Sequence, residues 1–150
     1  MFVCHGNICR SPMAEFIFKD IVKSKGIEGE YFVTSSATSD EEIYLGIGNP
    51  VYPPAKRELY KHGISCDGKR AVRLTKNDYD NYDFFIGMDE RNIYNMKRIF
   101  GGDGKNKVRK LLDYCGGGDV ADPWYSGDFK TTYDDIYKGV NAVISLGKNL

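Results

Sequence analysis

No stretch of this chain approaches the roughly 18 consecutive apolar residues that a membrane-spanning helix requires. A net charge is missing too, because 21 basic residues balance 21 acidic ones. Nucleic-acid binders ordinarily carry a basic excess or stripe, so that class is disfavoured, although a local positive pocket is not. Histidine is scarce: His5 and His62 are the only two, and neither has a partner at ligand-like spacing. The four cysteines, Cys4, Cys9, Cys66 and Cys115, do not form two close pairs. Zinc is therefore disfavoured, and no metal or other cofactor is expected. The first residues lack the charged-then-apolar layout of an export signal. The expectation is a cytoplasmic protein with free thiols rather than a secreted one with two disulfides. Repeats, low-complexity segments and linkers are also missing, and 150 residues suit one domain spanning 1–150.

What is present is an alternation of short apolar runs with longer helix-like stretches, the pattern of an α/β fold with a parallel sheet. Met1-Phe2-Val3 reads as the end of a strand that is either brief or starts upstream. Ser11-Pro12 opens a helix, since serine is a favoured N-cap and proline suits the first helical position. Met13, Phe16, Ile17, Phe18 and Ile21 supply its buried face, and Gly26 marks its exit. Tyr31-Phe32-Val33-Thr34 is the second predicted strand. A polar, glycine-bearing loop runs from Ser35 to about Pro54, and a helix from there to His62 stops at Gly63. Asp83 to Gly87 gives the third strand, Asp89 to about Phe100 a helix and Lys107 to Leu112 the fourth strand. A last helix runs from about Phe129 to Leu146. These elements predict a single three-layer domain: a four-stranded parallel sheet, right-handed crossovers and helices on both faces. Ligands of such sheets bind beyond the carboxyl ends of strands, where the strand order reverses.

The segment at such an end, between strand one and helix one, is Cys4-His5-Gly6-Asn7-Ile8-Cys9-Arg10-Ser11. A strand, a tight turn and a helix N-terminus converge several backbone N–H groups on one point, with the helix dipole behind them. That arrangement suits phosphate or another oxyanion. Gly6 permits the close turn, and Arg10 offers a planar, bidentate cation for two phosphate oxygens. The same positive surroundings favour the Cys4 thiolate, the nucleophilic form. Ser11 is placed to donate to that thiolate, and Asn7 to hold the loop through its side-chain amide. A cysteine followed six residues later by arginine arises by chance about 0.2 times in a chain of this composition. The full string between a strand and a serine-proline helix start is far more specific than that, which sets aside a merely buried thiol at Cys4.

Val3-Cys4-His5-Gly6-Asn7-Ile8-Cys9-Arg10-Ser11-Pro12-Met13-Ala14-Glu15 resembles the signature of the low-molecular-weight protein tyrosine phosphatases. The likeness extends over essentially the whole chain, through Ser35-Ser36-Ala37-Thr38, Gly87-Met88-Asp89 and Asp122-Pro123-Trp124-Tyr125. It implies a phosphotyrosine protein as substrate, a cysteinyl-phosphate mechanism without metal, and the same four-stranded sheet. It also implies Cys4 as nucleophile, Arg10 as phosphate clamp and Asp122 as general acid. Independently, an aryl-oxide leaves more easily when protonated and a thiophosphate then needs a base to activate water; one carboxyl can serve both steps. A bare Asp-Pro is more often a turn opening.

Trp124 and Tyr125, beside Asp122, read either as the wall of an aromatic-substrate slot or as ordinary core. The facing loop holds Ser39-Asp40-Glu41-Glu42-Ile43-Tyr44-Leu45-Gly46, where the family commonly has an aromatic. Either Tyr44 supplies the ring from a shifted position, or Glu41 and Glu42 face the substrate and disfavour acidic flanking sequences. Lys69 stands where many relatives have a buried histidine supporting the loop; the bland expectation is a solvated lysine, with another group bracing Asn7. Cys9 either forms a reversible disulfide with Cys4 or fills the underside of the loop, and Cys66 and Cys115 read as packing residues. His5 has no paired carboxylate nearby in sequence and is not expected to act as a base. Competing activities are a protein-arginine phosphatase, disfavoured by Ile8 where that class has threonine, and an arsenate reductase, disfavoured by the wide separation of Cys66 and Cys115. A non-catalytic phosphotyrosine- or sugar-phosphate-binding module would need neither thiolate nor acid. A monomer is expected.

Overall fold

In the computed structural model, which describes all residues from Met1 to Leu150, the hydrophobic pattern is satisfied by three layers. Four parallel strands, β1 (Phe2–Cys4), β2 (Ser35–Ala37), β5 (Phe85–Gly87) and β6 (Val108–Lys110), form the sheet in the order β2-β1-β5-β6. A two-stranded antiparallel hairpin, β3 (Ile43–Tyr44) and β4 (Ile47–Gly48), lies apart from it. The helices are α1 (Arg10–Ser24), α2 (Pro53–Lys61), α3 (Glu90–Phe100), α4 (Pro123–Ser126) and α5 (Phe129–Leu146).

Side chains alternate across a strand, and the two cores follow that period. Phe2, Cys4 and Ile86 pack toward α1 and α5, where Met13, Ile17, Ile136 and Val140 are fully buried. Val3, Phe85 and Val108 face the other way, against Met96 and Phe100 of α3. β1 is central, with β2 on one side and β5 on the other, so the strand order reverses at its carboxyl end. Cys4 sits there as the last residue of β1.

The second strand is not the predicted Tyr31–Thr34. Phe32 is exposed, and the strand is the small, polar Ser35-Ser36-Ala37, paired to Phe2-Val3-Cys4 and wholly buried. Strand propensity favoured the aromatic segment, but burial selected the residues small enough to pass beneath α1. The outer edge of β2 is covered by residues 72–74: Ala37 donates to the Val72 carbonyl (2.8 Å) and accepts from the Leu74 N–H (2.8 Å). Helix α1 starts at Arg10 with Cys9 as N-cap, not at a serine cap, because the Ser11 side chain is engaged elsewhere. Asp89 caps α3, forming a capping box with Asn92. The fourth strand stops at Lys110, giving way to a 3-10 turn over Leu111–Tyr114. Within the long loop, Leu45 (φ 50°) and Gly46 (φ 76°) make the two-residue turn that a tight hairpin requires.

No helix is long and apolar enough to cross a membrane. Where α5 crosses the turn after β6, a Cβ on Gly139 would lie 2.5 Å from the Leu111 side chain. Helix propensity alone would make Gly139→Ala stabilising by about 1 kcal/mol. The clash outweighs it, and a net loss of about 1–2 kcal/mol is expected from overpacking. Urea unfolding of the variant measures this; a gain in stability would show that Leu111 yields freely.

Candidate active site

The loop from His5 to Cys9 turns back over the end of β1 without a glycine in a left-handed conformation. Asn7 (φ 59°) takes that conformation instead, one that asparagine tolerates better than most residues. Gly6 has a different use: a Cβ there would come within 3.2 Å of the Glu42 side chain. The backbone N–H groups of His5, Gly6, Ile8 and Cys9 have no protein acceptor, and α1 begins directly behind them. This is the donor array that an oxyanion would collect.

Cys4 Sγ is met by three donors: the N–H of Asn7 at 3.3 Å, the N–H of Ser11 at 3.4 Å and the Ser11 hydroxyl at 3.0 Å. The direction of the last follows from its neighbours. Asn7 Oδ1 accepts from the Val72 N–H (3.0 Å), so Nδ2 faces Ser11 and Ser35 and donates to both hydroxyls (2.8 and 2.9 Å). With its oxygen already accepting from Asn7, Ser11 Oγ–H has two acceptors within reach, Cys4 Sγ at 3.0 Å and the Ser36 carbonyl at 3.5 Å, and sulfur is the nearer. Asn7 is only 1% exposed, and its amide is bonded on both sides.

Behind Asn7 the network continues. Ser35 Oγ donates to Glu15 Oε1 (2.6 Å), and Lys69 Nζ lies 2.9 Å from the Ser35 carbonyl and 3.3 Å from Glu15 Oε1. The Lys69 side chain is only 12% exposed, so it is not the solvated surface residue that the bland expectation gave. Two buried serines and a buried carboxylate on α1 supply the polar surroundings that draw it in.

Arg10 is buried beneath the cavity. Its Nη1 donates to Asp89 Oδ2 (2.6 Å) and to the Val120 carbonyl (3.0 Å), and Nη2 reaches Asp122 Oδ2 at 3.5 Å. Nε has no protein partner, leaving the Nε/Nη2 edge for two oxygens side by side. Burial opposes the Arg10 charge, but Cys4, Asp89 and Asp122 outweigh it and raise the guanidinium above its usual range. In the sequence Asp89 stands as a helix start and within the family-like Gly87-Met88-Asp89, with nothing to mark it as a partner of Arg10. Its signal is topological: Val3 pairs with Gly87, so the residue two beyond Gly87 stands beside the end of β1.

A cavity of 230 Å³ opens above this floor, lined by Cys4, His5, Gly6, Ile8, Cys9, Arg10, Glu41, Glu42, Asp122, Trp124 and Tyr125. Asn7 and Ser11 lie behind it. Asp122 is the N-cap of α4; its Oδ1 accepts from the Trp124 N–H (3.0 Å), which turns Oδ2 toward Arg10. Trp124 and Tyr125 are 56% and 86% exposed, so neither is core. Trp124 is braced by Tyr52, with ring centroids 5.0 Å apart. Tyr44 does not reach the cavity: the hairpin leaves it exposed, and Glu41 and Glu42 occupy that side. His5 pairs with Glu41 (3.0 Å). All four cysteines are free, and Cys66 is buried. Burial, and secondarily the neighbouring Cys4, push the Cys9 thiol up to about 12. No group of three or more His, Cys, Asp or Glu side chains is placed to hold a metal ion. A larger cleft of 800 Å³, bordered by Phe32, Tyr82, Phe84 and Lys107 at the opposite ends of the strands, contains neither cysteine nor histidine.

A family model described as low molecular weight phosphotyrosine protein phosphatase matches residues 1–149. The chain is 36% identical over 148 residues to the low molecular weight protein-tyrosine-phosphatase YfkJ of Bacillus subtilis, covering 97% of this chain and 92% of that one. It is 35% identical over 150 residues to the low molecular weight phosphotyrosine protein phosphatase of Gallus gallus, covering 96% of this chain and 92% of that one. The crystal structure of YfkJ superposes with a TM-score of 0.91 over 99% of this chain and 93% of that one, at 37% identity.

The two lysines on Glu15 should differ in weight. Lys69→Met removes a buried partner and is expected to cost about 3 kcal/mol. Lys19→Met removes a half-exposed one (46%) and should cost under about 1 kcal/mol. Equal losses in urea unfolding would place Lys69 outside the network. Cys9 supplies a pH signature. Its folded pKa is raised, so its contribution is intact below the ordinary thiol value and is lost as pH rises between about 9 and 12. Cys9→Ser is expected to flatten the alkaline loss of stability by about 1 kcal/mol per pH unit. Unfolding curves between pH 8 and 10.5 would register the difference.

Proposed function

The chain belongs to the low molecular weight phosphotyrosine protein phosphatase family, and from that premise we propose that residues 1–150 form one catalytic domain hydrolysing phosphotyrosine in proteins, with Cys4 as nucleophile, Arg10 as phosphate clamp and Asp122 as general acid and then base. One observation carries the assignment. Three donors aim at Cys4 Sγ on a cavity floor that also holds Arg10, and a carboxylate from a separate loop lies at the same cavity.

The steps follow from these positions. Cys4 thiolate attacks phosphorus while the free N–H groups of the loop and the Nε/Nη2 edge of Arg10 bind the equatorial oxygens. The S–P bond forms as the P–O(aryl) bond breaks, and the Asp122 carboxyl gives its proton to the departing phenolate oxygen. Asp122, now a carboxylate, takes a proton from water as the water oxygen attacks phosphorus. The S–P bond breaks, inorganic phosphate is released, and the sulfur leaves as a thiolate that Ser11 Oγ–H stabilises. The ion-paired Arg10 keeps its orientation throughout because Asp89 and the Val120 carbonyl hold its other nitrogen.

Substrate class rests on the walls. Trp124 over Tyr52 offers a braced ring beside the acid, suited to an aryl ester. Ile8 contributes an apolar side chain to the lining, with no hydroxyl to engage a guanidinium, which supports phosphotyrosine over phosphoarginine. A cytoplasmic setting goes with this reading because Cys4 must stay reduced. So does a monomer, since every group used comes from one chain.

Cys4→Ser is expected to abolish turnover of p-nitrophenyl phosphate and of phosphotyrosine peptides; full activity in that variant would overturn the assignment. Asp122→Ala should slow phenyl phosphate about 10²–10⁴-fold and esters of more acidic phenols much less. Equal slowing across leaving groups would remove Asp122 from the acid role. Phosphoserine and phosphoarginine peptides and arsenate, assayed alongside, should turn over poorly.

A further inference from the structure

Charge at the cavity runs against expectation for a site that receives a phosphate dianion. Its lining includes the carboxylates of Glu41 and Glu42 beside the proposed acid Asp122, yet only one permanently charged cation, Arg10, and no lysine. Arg10 is already matched by Asp89 at 2.6 Å and approached by Asp122 at 3.5 Å. The loop amides and Arg10 suffice to grip phosphate on the floor. They leave no permanently charged cation on this side of the entrance to offset the two glutamates, only His5 beside Glu41.

Both glutamates are held in place. Glu42 packs its stem over Gly6, 3.2 Å from where a Cβ would stand, and its Oε2 accepts from Asn49 Nδ2 (2.8 Å). Glu41 lies against His5 Nε2 at 3.0 Å, with its side chain 67% exposed to whatever enters. Tyr44, the nearest ring in the sequence, is carried away on the hairpin. An aromatic ester therefore meets a ring from the Trp124 side and charge from the other.

We infer that Glu41 and Glu42 are specificity-determining residues that select phosphotyrosine flanked by lysine or arginine. The inference rests on the phosphotyrosine reading above. When the phosphate is on Cys4, the residues adjoining the tyrosine lie at the cavity mouth, where Glu41 and Glu42 stand. A basic side chain there relieves the repulsion between the glutamates and the phosphate and pairs with them directly, whereas an acidic one adds to the repulsion.

The test compares kcat/KM for three peptides, with lysine, alanine or glutamate on both sides of phosphotyrosine, at low and high salt. The wild type should favour the lysine peptide over the glutamate peptide by about tenfold at low salt, narrowing as salt screens the charges. In Glu41→Gln/Glu42→Gln the ratio should fall below about twofold, since only the charges have been removed. Using the ratio makes the result independent of any general change in turnover. A wild type indifferent to flanking charge, or a preference that survives in the double variant, would overturn the inference while leaving phosphotyrosine hydrolysis intact. Failure of the wild type to cleave any of the three would overturn the underlying reading as well.

Discussion

A single buried amide, that of Asn7, ties the molecule together. It joins the loop after β1 to the first turn of α1 through Ser11, to β2 through Ser35 and to the strip beyond β2 through the Val72 N–H. Every one of these bonds spans segments that the sheet alone would not fix at the ångström scale. A buried amide with one arm unsatisfied would cost about 1–3 kcal/mol, so the four segments are specified together or not at all. The left-handed backbone at Asn7 belongs to the same constraint, for it turns the side chain inward while its own N–H points at Cys4. Structural and chemical roles meet in one residue: the bond that positions Ser11 also occupies its oxygen from one side, leaving the hydroxyl proton for Cys4, the nearer of its two acceptors.

Outward from Asn7 the polar groups become charged. Ser35 passes the network to Glu15, and Glu15 is held by Lys69 inside and Lys19 at the rim. Such a chain is stable only when each member is paired, since a lone carboxylate beneath α1 would face a desolvation cost of several kcal/mol. It also explains a strand that reads poorly as a strand. Ser35-Ser36-Ala37 is buried because its hydroxyls have partners there, and because larger residues would hold α1 off the sheet. The polar interior and the tight helix packing are the same requirement seen from two sides.

This is also where sequence and structure part. Period and punctuation made the helices legible: α5 lies at Phe129–Leu146 as read, and α2 and α3 lie within a residue or two. The parallel sheet, and the place of the loop after β1 at a strand's carboxyl end, follow from general rules about such sheets. Strand two lies elsewhere than expected because propensity registers aromatic and branched residues, whereas the deciding quantity is space beneath α1. Lys69 departs from the solvated expectation because its partners, Glu15 and Ser35, are remote in sequence, and a lysine is assigned to solvent until a buried carboxylate is known to wait for it. The pairing of Asp89 with Arg10 is hidden for the same reason, since it depends on β5 lying next to β1. The local turn around Leu45 and Gly46, which sends Tyr44 into solvent, left a trace in the sequence only as one glycine.

The electrostatics of the cavity follow from the order in which these constraints act. Arg10, the phosphate clamp of the proposed mechanism, is buried, and a buried guanidinium needs carboxylates, here Asp89 and Asp122. Those carboxylates consume much of its positive field before it reaches the mouth. The attraction for an anion is thus concentrated on the floor, in the N–H groups at the start of α1 and in the Nε/Nη2 edge, where the range is short and the geometry strict. A site built this way discriminates by fit rather than by reach: a phosphate gains little until it is seated among the donors. The mouth can then carry the opposite sign while the floor still grips, and on the inference above a basic neighbour of the phosphotyrosine offsets the repulsion that Glu41 and Glu42 exert on the phosphate.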